Sequence, residues 1–257
     1  MFIPLRTTEP SHRLFTPHAD YKMARSQPIV PLARTEVPRA VLAFPIAFQA
    51  TAEGASLVAV MGLTTERNLF VTADNRWAGA YVPAIFRGYP FALGNTEDGR
   101  QVVCIDEDSG CLREGPGAKP LFDENDQPAP FLREIMGFLQ QLARDRQATM
   151  AGVATLEKHG LLEAWPITIK AGERETNVTG LLRINESALN ALEPAALAEV
   201  RDAGALPIAY GQLYSMGHLR LLGKMAEAHA KAAEQMQQKM HENASMFRDD
   251  DISFNFD

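Results

Sequence analysis

NLFVTADNRWAGAYVPAIFRGYPF, residues 68–91, passes from an apolar, strand-like run into a concentration of rings and cations: Trp77, Tyr81, Phe86, Arg87, Tyr89 and Phe91. Asn68 to Ala73 reads as a strand, ended by the turn chemistry of Ala73-Asp74-Asn75. SLVAVMGL (56–63) before it and QVVCID (101–106) after it have the same strand character, with a second turn at Glu97-Asp98-Gly99. Gly79, Gly88 and Pro90 restrict any helix inside the aromatic stretch to a short one over 82–87. Strands on both sides of a short helical insert, with long helices later in the chain, predict an α+β fold: a mixed or antiparallel sheet with packed helices.

Toward the N-terminus, Pro4, Pro10, Pro17, Pro28, Pro31, Pro38 and Pro45 exclude long helices. They predict a Pro-rich arm, residues 1–50, of short extended segments packed on the core. On the other side, residues 107–130 are rich in Asp, Glu, Gly and Pro. A calcium-loop register beginning at Asp123 puts Pro128 where a sharp glycine turn is required, and one beginning at Asp106 puts Gly117 where a bidentate carboxylate belongs. The segment therefore reads as a solvated acidic loop.

Pro130 suits the first turn of a helix. Phe131, Ile135, Phe138, Leu139, Leu142, Met150, Val153 and Leu156 then recur at helical spacing, over one long helix or two joined near Arg146. His159 and Gly160 close it, a cation near the carbonyl end followed by a left-handed cap. WPITIK and VTGLLRI predict a hairpin turning over residues 171–174. Asn185 and Glu193-Pro194 open short helices, Gly204 ends the second, and residues 206–222 are apolar enough for a mostly buried helix.

Residues 219–247 contain Gly223 but no proline and predict a long C-terminal helix. Leu222, Met225, His229, Ala232 and Met236 alternate steps of three and four like a coiled-coil seam, until Lys239 interrupts it. The last residues carry Asp249, Asp250 and Asp251, then Ile252, Phe254 and Phe256 alternating with polar residues. Such a tail reads either as a disordered acidic end or as a linear peptide that docks by its apolar side chains. The organisation expected is an arm (1–50), an α+β core (51–222), a helix (223–247) and an acidic-aromatic tail (248–257).

Composition sets the function classes. With 257 residues, 46% of them hydrophobic, the chain can bury a sizeable core, and a net charge of -7 is the wrong sign for a general nucleic-acid binder. No apolar run of ~18 residues is long enough to cross a membrane. MFIPLRTTEPSHRL lacks the apolar centre of a secretory signal, so the cytoplasm is the expected location. Cys104 and Cys111 match neither a redox nor a zinc spacing and read as ordinary reduced residues, one in a strand and one in the following loop. There is no Gly-x-Ser-x-Gly elbow, no Walker spacing in GPGAKP (115–120), and no metal-ligand pair on a predicted helix. Accordingly no catalytic residue, metal ligand or cofactor is assigned. Arg76, Trp77, Tyr81, Arg87 and Tyr89 are instead candidates for binding a protein partner, because Arg with Trp and Tyr is the composition of interface hot spots. The competing reading makes these rings core.

Several blocks carry a resemblance: HADYKMARSQPIVPLARTEVPRAVLAFPIAF, NLFVTADNRWAGAYVPAIFRGYPFAL, VVCIDEDS, PLFDENDQPAPFLREIMGFLQQL and ALPIAYGQLYSMGHLRLL. In order and spacing, from about His18 to Leu222, the chain resembles the SapC family of bacterial proteins, named for a surface-layer-associated member. The resemblance implies no catalytic set. It implies an accessory role, with flavin-dependent tryptophan halogenases and outer-membrane receptors as neighbouring functions. The function favoured is a non-enzymatic accessory protein that binds partners through the aromatic and arginine surface and the C-terminal helix and tail. A halogenase, or self-association through that helix, is the contact expected. Two alternatives stand beside it: a surface-layer component exported by a C-terminal signal, and an enzyme acting on a peptide or small molecule at a site no common motif describes.

Overall fold

The structure, a computed structural model, describes residues 1–18, 20–96, 98–171 and 174–246. The proline-rich first fifty residues hold β1 (Phe2–Pro4), β2 (Leu14–Phe15) and β3 (Ile29–Pro31), separated by 3-10 turns, then α1 (Val37–Ala40) and β4 (Ile46–Thr51). Next come β5 (Gly54–Val60), α2 (Ala84–Gly88), β6 (Phe91–Asn95), β7 (Gln101–Asp106) and β8 (Lys119–Pro120). The long helix α3 (Pro130–Lys158) is followed by β9 (Leu162–Ala164), β10 (Ile167–Ala171), β11 (Arg174–Val178) and β12 (Leu181–Ile184). Four helices complete the described chain: α4 (Glu186–Asn190), α5 (Pro194–Asp202), α6 (Leu206–Ser215) and α7 (Leu219–Met246).

The fold is α+β, as the sequence predicts, and the strand pairs are antiparallel. The main sheet runs β3-β5-β4-β12-β9, a smaller one runs β1-β7-β6, and β10-β11 and β2-β8 form separate ribbons. The first fifty residues do more than wrap the outside. β4 is an interior strand of the main sheet, and Phe44, Ile46 and Phe48 are fully buried.

Two strand expectations are corrected and one strand, β6, is added. Asn68 to Ala73 is a folded-back loop with one isolated bridge, Val71 to Trp77, and scattered backbone bonds to Arg25 and Met61 in place of a ladder. Asn68 accepts the Phe70 N–H with its own side chain, and the Thr72 hydroxyl accepts from Arg76 N–H, so local side-chain bonds replace a ladder while Leu69, Phe70 and Val71 stay buried. Conversely β6 was hidden by Pro90 and Gly94, yet pairs with β7 over its whole length. The expected hairpin partner of residues 165–170 also splits. Gly180, at φ +81°, turns the chain so that β11 pairs with β10 while β12 crosses to β4 and β9.

α3 is one unbroken helix, about 43 Å long at 1.5 Å per residue. Its end is a Schellman motif: Gly160 (φ +63°) donates to the Glu157 carbonyl and Leu161 to that of Leu156, with His159 as the cap residue the sequence indicates. This helix joins two cores. Leu132 and Leu139 pack with Phe15, Phe91, Ile105 and Leu121 beneath the small sheet, whereas Val153 and Leu156 belong to the large core under the main sheet.

α6 is fastened to the main sheet by buried polar groups. The β4–β12 ladder ends at Leu182 opposite Phe48, and two residues on in the same register Ile184 donates to Gln212 Oε1 (2.9 Å) while Gln212 Nε2 donates to the Ile46 carbonyl (3.4 Å). Ser215 Oγ accepts from Ile46 N–H. α7 begins against the same core through buried Leu222, and its seam ends at His229. Arg67 can only donate, so it donates to His229 Nδ1, which leaves the Nε2 proton for the Leu69 carbonyl. Residues 231–240, including Met236 and Met240, are exposed. The tail residues Ile252, Phe254 and Phe256 lie outside the described residues.

Candidate binding cleft

The aromatic stretch folds back on itself, with its polar atoms bonded within the stretch and to Glu36 and Asp106. Trp77 stacks on Phe70 (ring centroids 5.8 Å apart) and donates its indole N–H to the Tyr81 carbonyl. Tyr81 donates to Glu36 Oε1 at 2.9 Å and accepts from Arg87, whose guanidinium lies over the Tyr81 and Phe138 rings. Arg76 is exposed and paired with neighbouring Asp74. Phe86 and Phe91 are buried. The stretch is therefore a wall whose rings face inward and whose Arg side chains face out.

Glu36 organises that wall and nothing in its sequence context announces it. Although only 5% exposed, its carboxylate accepts three hydrogen bonds, from Ala33 N–H, Ala84 N–H and the Tyr81 hydroxyl. By accepting from Ala84 it caps the first turn of α2 from 48 residues away. Burial and the Glu36 carboxylate together hold the Tyr81 phenol above its ordinary pKa. Tyr81, Arg87, Glu36 and Asp145 also line a small cavity of about 310 Å³. This places two of the sequence candidates beside carboxylates.

Behind the wall lies a larger cleft of about 1220 Å³, between the small sheet and the middle of α3. α2 contributes Ala84, Ile85 and Phe86, and Gly88 lets it approach α3 so closely that a Cβ there would sit 3.2 Å from Phe138. α3 contributes Leu139, Leu142, Ala143, Arg146, Gln147 and Met150, which recur at three- and four-residue steps and so form one face. His18, Tyr89, Asp106, Cys111 and Arg113 line the cleft from the small-sheet side. Tyr89 is thus the sequence candidate that reaches the larger cleft. The next strongest signals, Arg146 and Asp106, were not among the candidates.

The polar groups on the sheet side are mutually engaged. Tyr89 donates to Asp106 Oδ2 (3.1 Å), and the Met1 amine bonds to both Asp106 and Asp108. Burial first, then the Asp106 carboxylate, pushes the Tyr89 phenol up to about 12, while the amine beside Asp106 holds that carboxyl below its usual range. His18 donates from Nδ1 to the Asp20 carbonyl and sets its ring edge against Tyr89. Cys104 and Cys111 are buried free thiols in the strand and loop expected of them, and burial raises the pKa of both. Arg146 differs. Its Nε is buried without an acceptor, and burial pushes its pKa down against the pull of Glu36.

The SapC family model matches residues 10–222, most of the chain. The chain belongs to the SapC family. No curated relative and no solved structure matches it. The matched range takes in the main sheet, β6 and β7 of the small sheet, α1 to α6 and most of the cleft of this SapC-family chain, and stops at the buried Leu222 where α7 begins to leave the body. Among the described residues no helix is long and apolar enough to cross a membrane, and no cluster of His, Cys, Asp and Glu is placed to hold a metal ion.

Proposed function

We propose that this protein is a non-enzymatic accessory protein that holds a segment of a protein partner in the cleft at the middle of α3. The observation carrying this reading is the cleft itself. At about 1220 Å³ it is larger than the ~300–1,000 Å³ typical of small-molecule sites, and its lining mixes an apolar side, with Ile85, Leu139 and Leu142, and a side rich in polar and charged groups. The state of those polar groups favours holding over chemistry. A nucleophilic cysteine needs a lowered pKa and a general acid or base needs one near neutrality, whereas Cys111 and Tyr89 are both pushed toward their protonated forms. In the group an enzyme reading would use, the Glu36 carboxylate is engaged by Tyr81 and Ala84, and Arg87 bonds the Tyr81 hydroxyl and the Val82 carbonyl.

On this proposal a flavin-dependent halogenase is the partner class to test first, and the exposed Met236 and Met240, one turn apart on α7, offer a second contact. A photo-crosslinking amino acid placed at Met150, on the cleft, should capture one protein in cells. The same group at exposed Leu197 on α5 should not, and Ile85→Asp should abolish the Met150 product. Equal capture from both positions, or none from Met150, would refute the reading. Cell fractionation with and without residues 248–257 separately tests the exported surface-layer alternative, which requires the full chain outside the cell and the truncated chain inside.

A further inference from the structure

Arg146 occupies a position at which helical periodicity calls for an apolar residue. α3 lines the cleft with Leu139, Leu142, Ala143, Arg146, Gln147 and Met150, among which Arg146 alone carries a charge. A guanidinium is charged at every ordinary pH, so its burial cannot be relieved by losing a proton. Other arginines have acceptors: Arg13 pairs with Asp126, Arg183 with Glu163, and Arg25 with Asn75 and two backbone carbonyls. Arg146 Nε has no acceptor at all.

The carboxylates nearby do not supply one. Glu36 is close enough to stabilise the Arg146 charge through space, yet its oxygens accept from Ala33, Ala84 and Tyr81. Asp106 and Asp108, which line the same cleft, are held by the Met1 amine, and Asp106 also accepts from Tyr89. A buried donor without an acceptor is a rare and destabilising arrangement in a folded chain. It is the arrangement expected where a ligand completes the bonding.

We propose that the cleft receives a carboxylate, bonded by Arg146, with the apolar part of the same ligand against Ile85, Leu139 and Leu142. This deepens the binding reading above and rests on it only for the choice of cleft. A planar carboxylate matches the guanidinium fork. With Lys22, Arg113 and Arg146 set against Asp20, Asp106 and Asp108, the lining side chains are balanced in charge, which suits a monoanion better than a doubly charged phosphate. The carboxylate can belong to a chain terminus, to an acidic side chain of a partner, or to a free organic acid.

Calorimetric titration of the full chain with hexanoate, hexan-1-ol and inorganic phosphate tests the assignment. Hexanoate should bind saturably, at least about tenfold more tightly than hexan-1-ol or phosphate, as one charge-assisted hydrogen-bonded pair predicts. Arg146→Met should remove that preference, and Arg146→Lys should keep part of it, since an ammonium supplies the charge without the fork. Because the Met variant loses an unpaired charge it should melt no lower than the wild type, so lost binding cannot be ascribed to unfolding. Equal binding of hexanoate and hexan-1-ol, tighter binding of phosphate, or unchanged hexanoate affinity in Arg146→Met would overturn the proposal. N-acetylated dipeptides with a free terminus, an amidated terminus, or an aspartyl side chain then separate the sources. Binding of hexanoate with none of the peptides would support the carboxylate and count against a protein partner. Crosslinking from Met150 without hexanoate binding would do the reverse.

Discussion

Arg146 and Tyr89 show how one cleft treats its charges in opposite ways. Tyr89 is kept neutral by burial and by donating to Asp106. A phenol whose folded-state pKa is raised stabilises the fold fully below its unfolded value of 10.0, and that contribution disappears as pH rises through about 12. Unfolding by urea at pH 9 and again near pH 11.5 should therefore show wild type losing its advantage over Tyr89→Phe at the higher pH. An advantage that grows with pH would contradict the assignment. Arg146 cannot be neutralised, and its unsatisfied Nε should cost about 1 kcal/mol. Arg146→Met is expected to raise the melting temperature by about 2–4 °C for a chain of this size. A fall instead would mean the guanidinium has a structural partner. The sequence contained a trace of this residue: a cation at the seam of the α3 apolar pattern, where the reading allowed a joint between two helices. Glu36 left no such trace. Its meaning depends on Ala84 and Tyr81, which only the fold brings to it.

Elements were legible where a local signal coincided with the tertiary one. α3 had Pro at its start, apolar side chains at helical spacing and a glycine at its end, and the Schellman bonds at Gly160 and Leu161 follow that pattern. The segment 68–73 failed because the apolar content of a strand was present without ladder partners, and Asn68 and Thr72 bonded locally. β4 was read as part of an arm because proline density describes what a segment cannot be, not which strand it joins. The join between α6 and the sheet is likewise a three-dimensional fact. Gln212 fills the place of a ladder bond between β4 and β12, so Gln212→Leu should leave the Ile184 N–H and Ile46 carbonyl unpaired and cost about 2–3 kcal/mol. Equilibrium denaturation measures this directly; a loss under about 0.5 kcal/mol, the scale of an ordinary surface change, would show that the amide is not needed there.

At the scale of the molecule, a single helix spans two cores, and the cleft lies against the middle of that helix. The α+β class and the family were both readable from the order of sequence blocks, and the family match over residues 10–222 agrees with them. The cleft was not readable, because its residues come from Phe2 to Met150 and meet only when the small sheet packs on α3. What the aromatic stretch provides is the wall of that cleft, with its rings inward and its polar atoms engaged. The central claim is that the cleft is a site completed by a ligand at Arg146. The side-chain Nε–H resonance of Arg146, assigned by its disappearance in Arg146→Lys, reports on this directly during a titration with hexanoate. The account predicts a saturable shift of that resonance, absent with hexan-1-ol. A resonance that stays in place while hexanoate binds, or that moves equally with the alcohol, would contradict it.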